Sequence, residues 1–352
     1  MLMRSSLLIA PIALFSLSGC SNYHPLADVC LRKPIGHTVD QSAAVKVTFL
    51  GNSTLAIQDR KTTLLVDGFL SRPGPIQTLL GTVGPSCKII HKELTAAGVH
   101  KVDAVLVGHA HHDHALDATA IADHYDSKAI GSASYGMIYK GSHVSGNASR
   151  FVRIGPKGGT AKIGRFRVHF IPSIHVAPES FIQKMIEGEI ERPLKTPAHF
   201  TRFKCGDVFA LYIEHFDDAN KRVMERIAVT TTAGALPGAL KRRRAPAVLF
   251  LSIGYLSKAS DYDQNAYWGN TVDDIRPKVI VPVHWDDFTI KLSKRLKPAK
   301  GLAGSTKDAM AFVKRKAEAD GRKVRVLDTR ESIWISKDRV YCPAPRVPIG
   351  SQ

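Results

Sequence analysis

The stretch VGHAHHDHALD, Val107 to Asp117, constrains this chain more than any other. Four histidines and an aspartate fall within six residues, His109 to His114, directly behind the apolar run VDAVLV. A buried strand that ends on so many imidazoles brings polar groups to the edge of a core, where they need partners. On a tight loop, His109 and His111 can turn toward one metal ion while Asp113 and His114 turn toward another. Neutral imidazole and carboxylate suit Zn2+, and Mn2+ or Fe accept the same donors. The tract alone would equally suit a solvated loop, so the reading depends on distant residues that could complete a site. His175 ends the run HFIPSI, His284 ends KVIVPV, and Asp67 ends TLLV, each a polar residue at the close of an apolar strand.

The rest of the chain alternates strand and helix patterns. VKVTFLGNSTLAIQDRKTTLLVDGFL reads as two or three short strands separated by turn residues. Residues 71–100 carry Pro73, Gly74, Pro75, Gly81, Gly84 and Pro85, which predicts a long loop followed by a helix over Lys88 to Ala97. ALDATAIADHY has helical spacing, and SKAIGSA, FRVHFIPSIH, VFALYIEH, ERIAVTTT, PAVLFLSIG and KVIVPVHW read as strands. Residues 176–206 form a proline-containing insertion, and helices are expected over Asn265 to Ile275 and Lys307 to Ala319. Two strand-rich halves with helices between them imply a layered α/β domain, with no short-period repeat.

Together these residues resemble the metallo-β-lactamase superfamily over nearly all of 45–336. Its pattern, an early aspartate, HxHxDH, a later histidine, a bridging aspartate and a final histidine, is met by Asp67, by His109, His111, Asp113 and His114, by His175, and by His284. The resemblance implies a four-layer αββα sandwich with one or two Zn2+ ions at an edge between the sheets. One ion would be held by His109, His111 and His175, the other by Asp113, His114 and His284. Asp67 would orient the histidines from behind, Asp113 would also be the catalytic residue, and His112 would point away. The chain departs from the pattern at the bridging aspartate: IAVTTTAGALPG puts Thr232 there, a weaker ligand that leaves the second metal less firmly held. His199 and His215 stay outside the expected site, and Tyr255, Trp268 and Trp285 read as packing aromatics.

The implied chemistry is hydrolysis of an ester, lactone, amide or phosphodiester by a metal-activated hydroxide. LGNSTLAIQDRKTTLLVDGF and KVIVPVHWDDF are similar to the branch with L-ascorbate-6-phosphate lactonase and N-acyl-phosphatidylethanolamine phospholipase D, which implies an anionic or lipid-derived substrate. The alternatives are a lactamase or lactonase acting on small cyclic amides or esters, and a non-catalytic, metal-stabilised binding lipoprotein.

The N-terminus sets the compartment. In MLMRSSLLIAPIALFSLSGC one charge, Arg4, precedes an apolar run too short to remain as a membrane helix. The closing Leu17-Ser18-Gly19-Cys20 is similar to the bacterial lipobox, in which the cysteine is lipidated and becomes the mature N-terminus. The expected organisation is a signal peptide over 1–19, a tether over 20–44, the hydrolase domain over 45–336 and a tail over 337–352. Ser21 lacks the aspartate of inner-membrane retention, so the expectation is an outer-membrane anchor facing the periplasm.

Without Arg4, 48 basic residues face 31 acidic ones, a net charge of +17. Such a field favours anionic substrates and a lipid surface. Nucleic acid is not expected outside the cytoplasm, and oligomeric state stays open. The runs Lys241 to Arg244 and Lys291 to Lys300 read as solvated or membrane-facing patches. In an exported chain the four remaining cysteines permit two disulfides. Cys30 and Cys342 flank the domain, which leaves Cys87 with Cys205 by default, free thiols being the alternative.

Overall fold

The computed structural model describes residues 44–142, 150–176, 181–301 and 304–342. The lipobox with Cys20, Cys30, the signal peptide and nearly all of the tether lie outside them. Among the described residues, fifteen strands form two sheets. The first carries β1 (Val45–Phe49), β2 (Leu55–Gln58), β3 (Thr63–Val66), β4 (Ala104–Leu106), β5 (Lys128–Gly131) and β6 (Phe151–Arg153). The second carries β7 (Gly159–Ile163), β8 (Phe166–Ser173), β9 (Val208–Phe216), β10 (Val223–Val229), β11 (Val248–Ser252), β12 (Val279–Val283) and β13 (Lys323–Val324). The chain then returns to the first sheet with β14 (Ser332–Ser336) and β15 (Arg339–Tyr341), giving the order β15-β14-β1-β2-β3-β4-β5-β6.

The pairing follows from composition. β3, β4, β11 and β12 are buried at every position, as short apolar runs in sheet interiors should be. β3 to β6 run parallel, as do β10 to β13, while β1, β2 and β7 to β9 pair antiparallel, β8 and β9 across the insertion over 176–206. Pro282 is tolerated within β12 because β13 pairs only with Val279 and Ile280, so β12 is an edge beyond them.

The helices are α1 (Pro75–Leu80), α2 (Cys87–Ala96), α3 (His112–Ala115), α4 (Ala118–His124), α5 (Ala133–Gly141), α6 (Phe181–Ile186), α7 (Asp261–Trp268) and α8 (Thr306–Ala319). α4 and α5 pack on β4 to β6, and α8 packs on β13. Tyr267 of α7 bonds to Thr230 and Ser252 of the second sheet. One apolar core joins both sheets. The result is helix, sheet, sheet, helix, the layered α/β sandwich expected from the sequence.

Several local expectations are corrected. The loop expected over 71–86 contains α1, which Pro75 initiates where its missing N–H costs nothing. α7 starts at Asp261, capped by the Ser260 side chain, and passes into a π turn over Gly269–Asp273 rather than beginning at Asn265. The β14–β15 hairpin carries sheet structure to Tyr341, past the expected domain end at 336. Cys87 and Cys205 are not joined: Cys87 opens α2 with an exposed thiol, whereas Cys205 is buried under the histidine loop, its carbonyl accepting from the Ala110 N–H. Cys342 is also a free thiol, and Cys30 lies outside the described residues.

Candidate metal centre

Parallel strands end together, so the polar residues that close them are gathered at one edge of the sandwich. β3 delivers Asp67 and β4 delivers the histidine loop. β8 delivers His175, β10 delivers Thr230 to Thr232, β11 delivers Tyr255 and β12 delivers His284. The loop is fixed by its backbone: the Ala110 N–H donates to Cys205, the Phe209 N–H to Gly108, and the Gly68 N–H to His114. Behind His111 the chain coils into α3, which brings Asp113 and His114 round to the other side.

The residues assemble as two groups of three, His109 with His111 and His175, and Asp113 with His114 and His284. Within each group the donor atoms lie within 4.8 Å of one another. His111 and His175 have ring centroids 4.7 Å apart, and the His109 and His114 rings, 3.9 Å apart, form the wall between the groups.

Both groups have the chemistry of metal ligands. His109 Nε2 and His175 Nδ1 are buried without a hydrogen-bond partner, a costly state that a coordinated cation relieves. Burial above all, then repulsion from neighbouring imidazoles, holds His109 and His111 well below the usual histidine range and takes His175 down to about 4. These imidazoles are therefore neutral, with lone pairs free to bind. In the second group burial opposes the charge on Asp113, but the His114 charge and the hydrogen bonds from His114 and His284 outweigh it, leaving the carboxyl well below its normal value. Burial likewise opposes the charge on His114, yet Asp113 and Asp67 push it up to about 10. Loading this group therefore exchanges a proton for the ion.

Behind the ligands stands a layer of fixed polar groups. Asp67, fully buried, accepts from His114 Nδ1 at 2.8 Å, Ser53 Oγ at 2.6 Å and the Gly108 N–H at 2.9 Å. This leaves His114 Nε2 to face the second group, 3.3 Å from Asp113 Oδ2. The Asn52 amide donates to the Asp113 carbonyl at 2.6 Å, and the Asn52 carbonyl accepts the His284 N–H at 2.6 Å. The Asn52 N–H donates to Asp286 Oδ1 at 2.8 Å, and Asp286 pairs with Arg72 at 2.7 Å, both side chains fully buried. Gly51 makes room for that arginine, since a Cβ there would overlap the guanidinium. Asn52, Asp67, Arg72, Tyr255 and His284 all have positive φ, between 43° and 61°. A cluster of such residues at one edge marks a backbone held in place by its surroundings.

The other expected residues fall as follows. Thr232 is at the site, but its hydroxyl accepts the Val176 N–H at 3.2 Å and so steadies the segment carrying His175. Its neighbour Thr231, not singled out from sequence, lies 3.4 Å from His109 Nδ1 and packs over Gly108, where any Cβ would collide with it. His112 belongs to neither group; its ring is buried among Phe69, Phe200, Phe203 and Phe288. His199 bonds Thr201 and the Leu79 carbonyl, and His215 bonds Asp59. Trp268 and Trp285 are core, as expected. Burial first, and then the Asp113 charge, push the Tyr255 phenol up to about 12, so it is protonated at neutral pH.

Comparison with known proteins agrees with this geometry. Residues 47–199, which include the histidine loop and His175, match the metallo-beta-lactamase superfamily. Over that segment the chain is similar to a metallo-beta-lactamase superfamily domain. It is 23% identical over 253 residues to a UPF0173 metal-dependent hydrolase of Koribacter versatilis, covering 71% of this chain and 88% of that protein. To a second UPF0173 metal-dependent hydrolase, from Carboxydothermus hydrogenoformans, it is 28% identical over 131 residues, 37% of this chain and 48% of the other. The metallo-beta-lactamase fold protein YhfI of Bacillus subtilis superposes with a TM-score of 0.50 at 14% identity, over 83% of this chain and 99% of YhfI, a likeness of fold.

Proposed function

We propose that this chain is an exported, lipid-anchored, zinc-dependent hydrolase that cleaves an ester, lactone or phosphodiester bond in an anionic or lipid-derived substrate. The observation that carries the reading is the pair of buried three-residue groups whose donor atoms converge within 4.8 Å. His109, His111 and His175 would hold one ion; Asp113, His114 and His284 would hold the other. Metal ions bound there supply Lewis acidity and an activated water near neutral pH.

The chain's own residues account for the rest. Asp113 is ionised and fixed by Asn52, His114 and His284, so it can orient the attacking water and pass a proton to the leaving group. Tyr255, protonated at neutral pH, can donate to the oxygen on which charge develops. Asp67 fixes the His114 tautomer through Nδ1. Phe69, Phe200, Phe203 and Phe288 surround the His112 ring, and Phe288 also lies 6.1 Å from the His284 ring, giving this side of the second group an apolar lining. The net charge of +17 draws anions toward the protein. Export and anchoring rest on the lipobox at Cys20.

Elemental analysis of residues 20–352 beside a His111→Ala variant tests the metal reading, followed by turnover of p-nitrophenyl esters and bis(p-nitrophenyl) phosphate. Metal bound by the parent and lost in the variant, with hydrolysis lost in parallel, is the expected result. Hydrolysis that survives complete metal removal would overturn it.

A further inference from the structure

The sheet edge opposite the metal centre carries a second feature. Tyr212 and Glu214 of β9, Val223 and Arg226 of β10, the turn with Lys221 and Arg222, and the loop Arg242 to Arg244 line a cavity of about 490 Å³. Six cationic side chains face one carboxylate there, and Glu214 is already shared between Arg167 and Arg226, each 4.0 Å away. Arg226 Nε is buried with no hydrogen-bond partner. The cavity is held in shape: Tyr212 donates to the Arg244 carbonyl at 2.8 Å, and the Arg243 guanidinium sits 5.4 Å over the Tyr212 ring. Its size and charge suit a phosphoryl headgroup, which arginine binds through several donors at once.

Strand polarity fixes where this cavity lies. β10 ends at the metal centre, so its first residue, Val223, is at the far edge, about 20 Å from Val229 for six steps of roughly 3.3 Å, and the cavity runs from there along the sheet face to Tyr212, which pairs with Ala228. β1 also ends at the centre, with Asn52 and Ser53, so Val45 begins at that same far edge. Val45 pairs with Ile335, and the turn that follows, Lys337 and Asp338, donates both N–H groups to Glu225 of β10, which leaves the strand on the face opposite Arg226. The described chain therefore begins, at Ala44 and Val45, at the far edge of the sandwich and away from the catalytic edge.

We propose that the arginine cavity docks on anionic phospholipid headgroups of the membrane that holds the anchor, so that the metal centre opens away from the bilayer. This rests on the lipid-anchored reading above and deepens it. Of the two substrate sources left open, it selects a water-soluble anion over a lipid of the same leaflet. The rival orientation has its own feature, the exposed Ile76 and Leu80 of α1, which follows the catalytic end of β3.

The experiment is co-sedimentation of residues 20–352, which retain every described residue, carrying Cys20→Ser so that no acyl chain contributes. The vesicles are phosphatidylcholine with or without about 30% phosphatidylglycerol. Each basic residue near an anionic surface contributes about fivefold, so Arg242→Glu with Arg243→Glu and Arg244→Glu should weaken binding about a hundredfold or more. Lys291→Glu with Lys294→Glu and Arg295→Glu, an equal change of charge elsewhere, should change it by less than about fivefold. Equal losses from both sets would reduce the effect to net charge and overturn the proposal, as would no binding to anionic vesicles. So would loss confined to Ile76→Ser with Leu80→Ser, or equally tight binding of free glycerol phosphate. Palmitate labelling of the full chain, lost in Cys20→Ser, reads the anchor separately, so its failure is distinguishable from failure of the cavity.

Discussion

The Arg72–Asp286 pair carries the sharpest consequence of the structure. Both side chains have no exposure, and the charges approach to 2.7 Å. Arg72 also donates to the Ile290 carbonyl at 3.2 Å, while its Nε is buried without an acceptor. Breaking such a pair from one side leaves a charge in the core, at a cost of about 3–5 kcal/mol. Removing both charges leaves no such charge, so the double variant should lose much less than the sum. We therefore expect Asp286→Asn and Arg72→Met each to lower urea-unfolding stability by about 3–5 kcal/mol, and the double variant to recover at least about 2 kcal/mol of the summed loss.

The pair also leads to the metal. Asp286 holds the Asn52 N–H, and Asn52 holds Asp113 and the His284 backbone. Outer partners of ligands are worth about 10–100-fold in metal affinity. Metal titration of the folded single variants should accordingly show weakening confined to the Asp113–His114–His284 group, with the group containing His109 unchanged. Single losses below about 1 kcal/mol that simply add would refute the account of an isolated buried pair. Equal weakening of both metal groups would refute the route through Asn52.

Three other outcomes follow from particular contacts. Tyr255→Phe should leave metal content unchanged and lower kcat by about 10–100-fold, the worth of one hydrogen bond to a charged group; unchanged kcat would remove the phenol from the chemistry. Gly108→Ala places a methyl against Thr231 and should cost about 1–3 kcal/mol in thermal unfolding, and a variant as stable as the parent would show that the loop can yield. Burial opposes the charge on Asp59, but the His215 hydrogen bond, the Lys61 and Thr62 N–H groups and Arg165 outweigh it and depress its pKa. Its folded pKa thus lies below the unfolded value of about 3.9, so its stabilisation is whole above that pH and fades as pH falls below it. Asp59→Asn should therefore flatten the acid limb of the stability profile, and an unaltered limb would count against the cluster.

The residues that converge as candidate ligands are legible because each announces itself locally. HAHHDH is contiguous, and His175 and His284 each close an apolar run long enough to be a buried strand. The supporting groups have no such signature. Asn52 sits in an ordinary GNS turn, and its partners are 61 and 234 residues away, so no window of sequence contains the relationship. Arg72 and Asp286 read as surface residues by type, and only the fold buries them. Tyr255 reads as packing because nothing local reports its positive φ. β7, β13 and β15 are short or half-exposed and lack strong alternation. Cys87 and Cys205 are free thiols, and the default pairing rested on order along the chain, which says nothing of the spatial proximity a disulfide requires.

Thr232 joins the two levels of reading. From sequence it is a deficit, a hydroxyl where the superfamily pattern has a carboxylate. In the fold it has a task, since its hydroxyl accepts the Val176 N–H and thereby fixes the peptide after His175. A shared carboxylate would have tied the two groups together through one side chain. Here the tie runs instead through the wall of His109 against His114 and the outer frame of Asp67, Ser53 and Asn52. The group with three neutral imidazoles depends little on that frame, whereas the group containing Asp113 and His114 depends on it at every ligand and must also release a proton to load. The two groups thus differ in their surroundings, and metal titration is where the asymmetry expected from one threonine would be read.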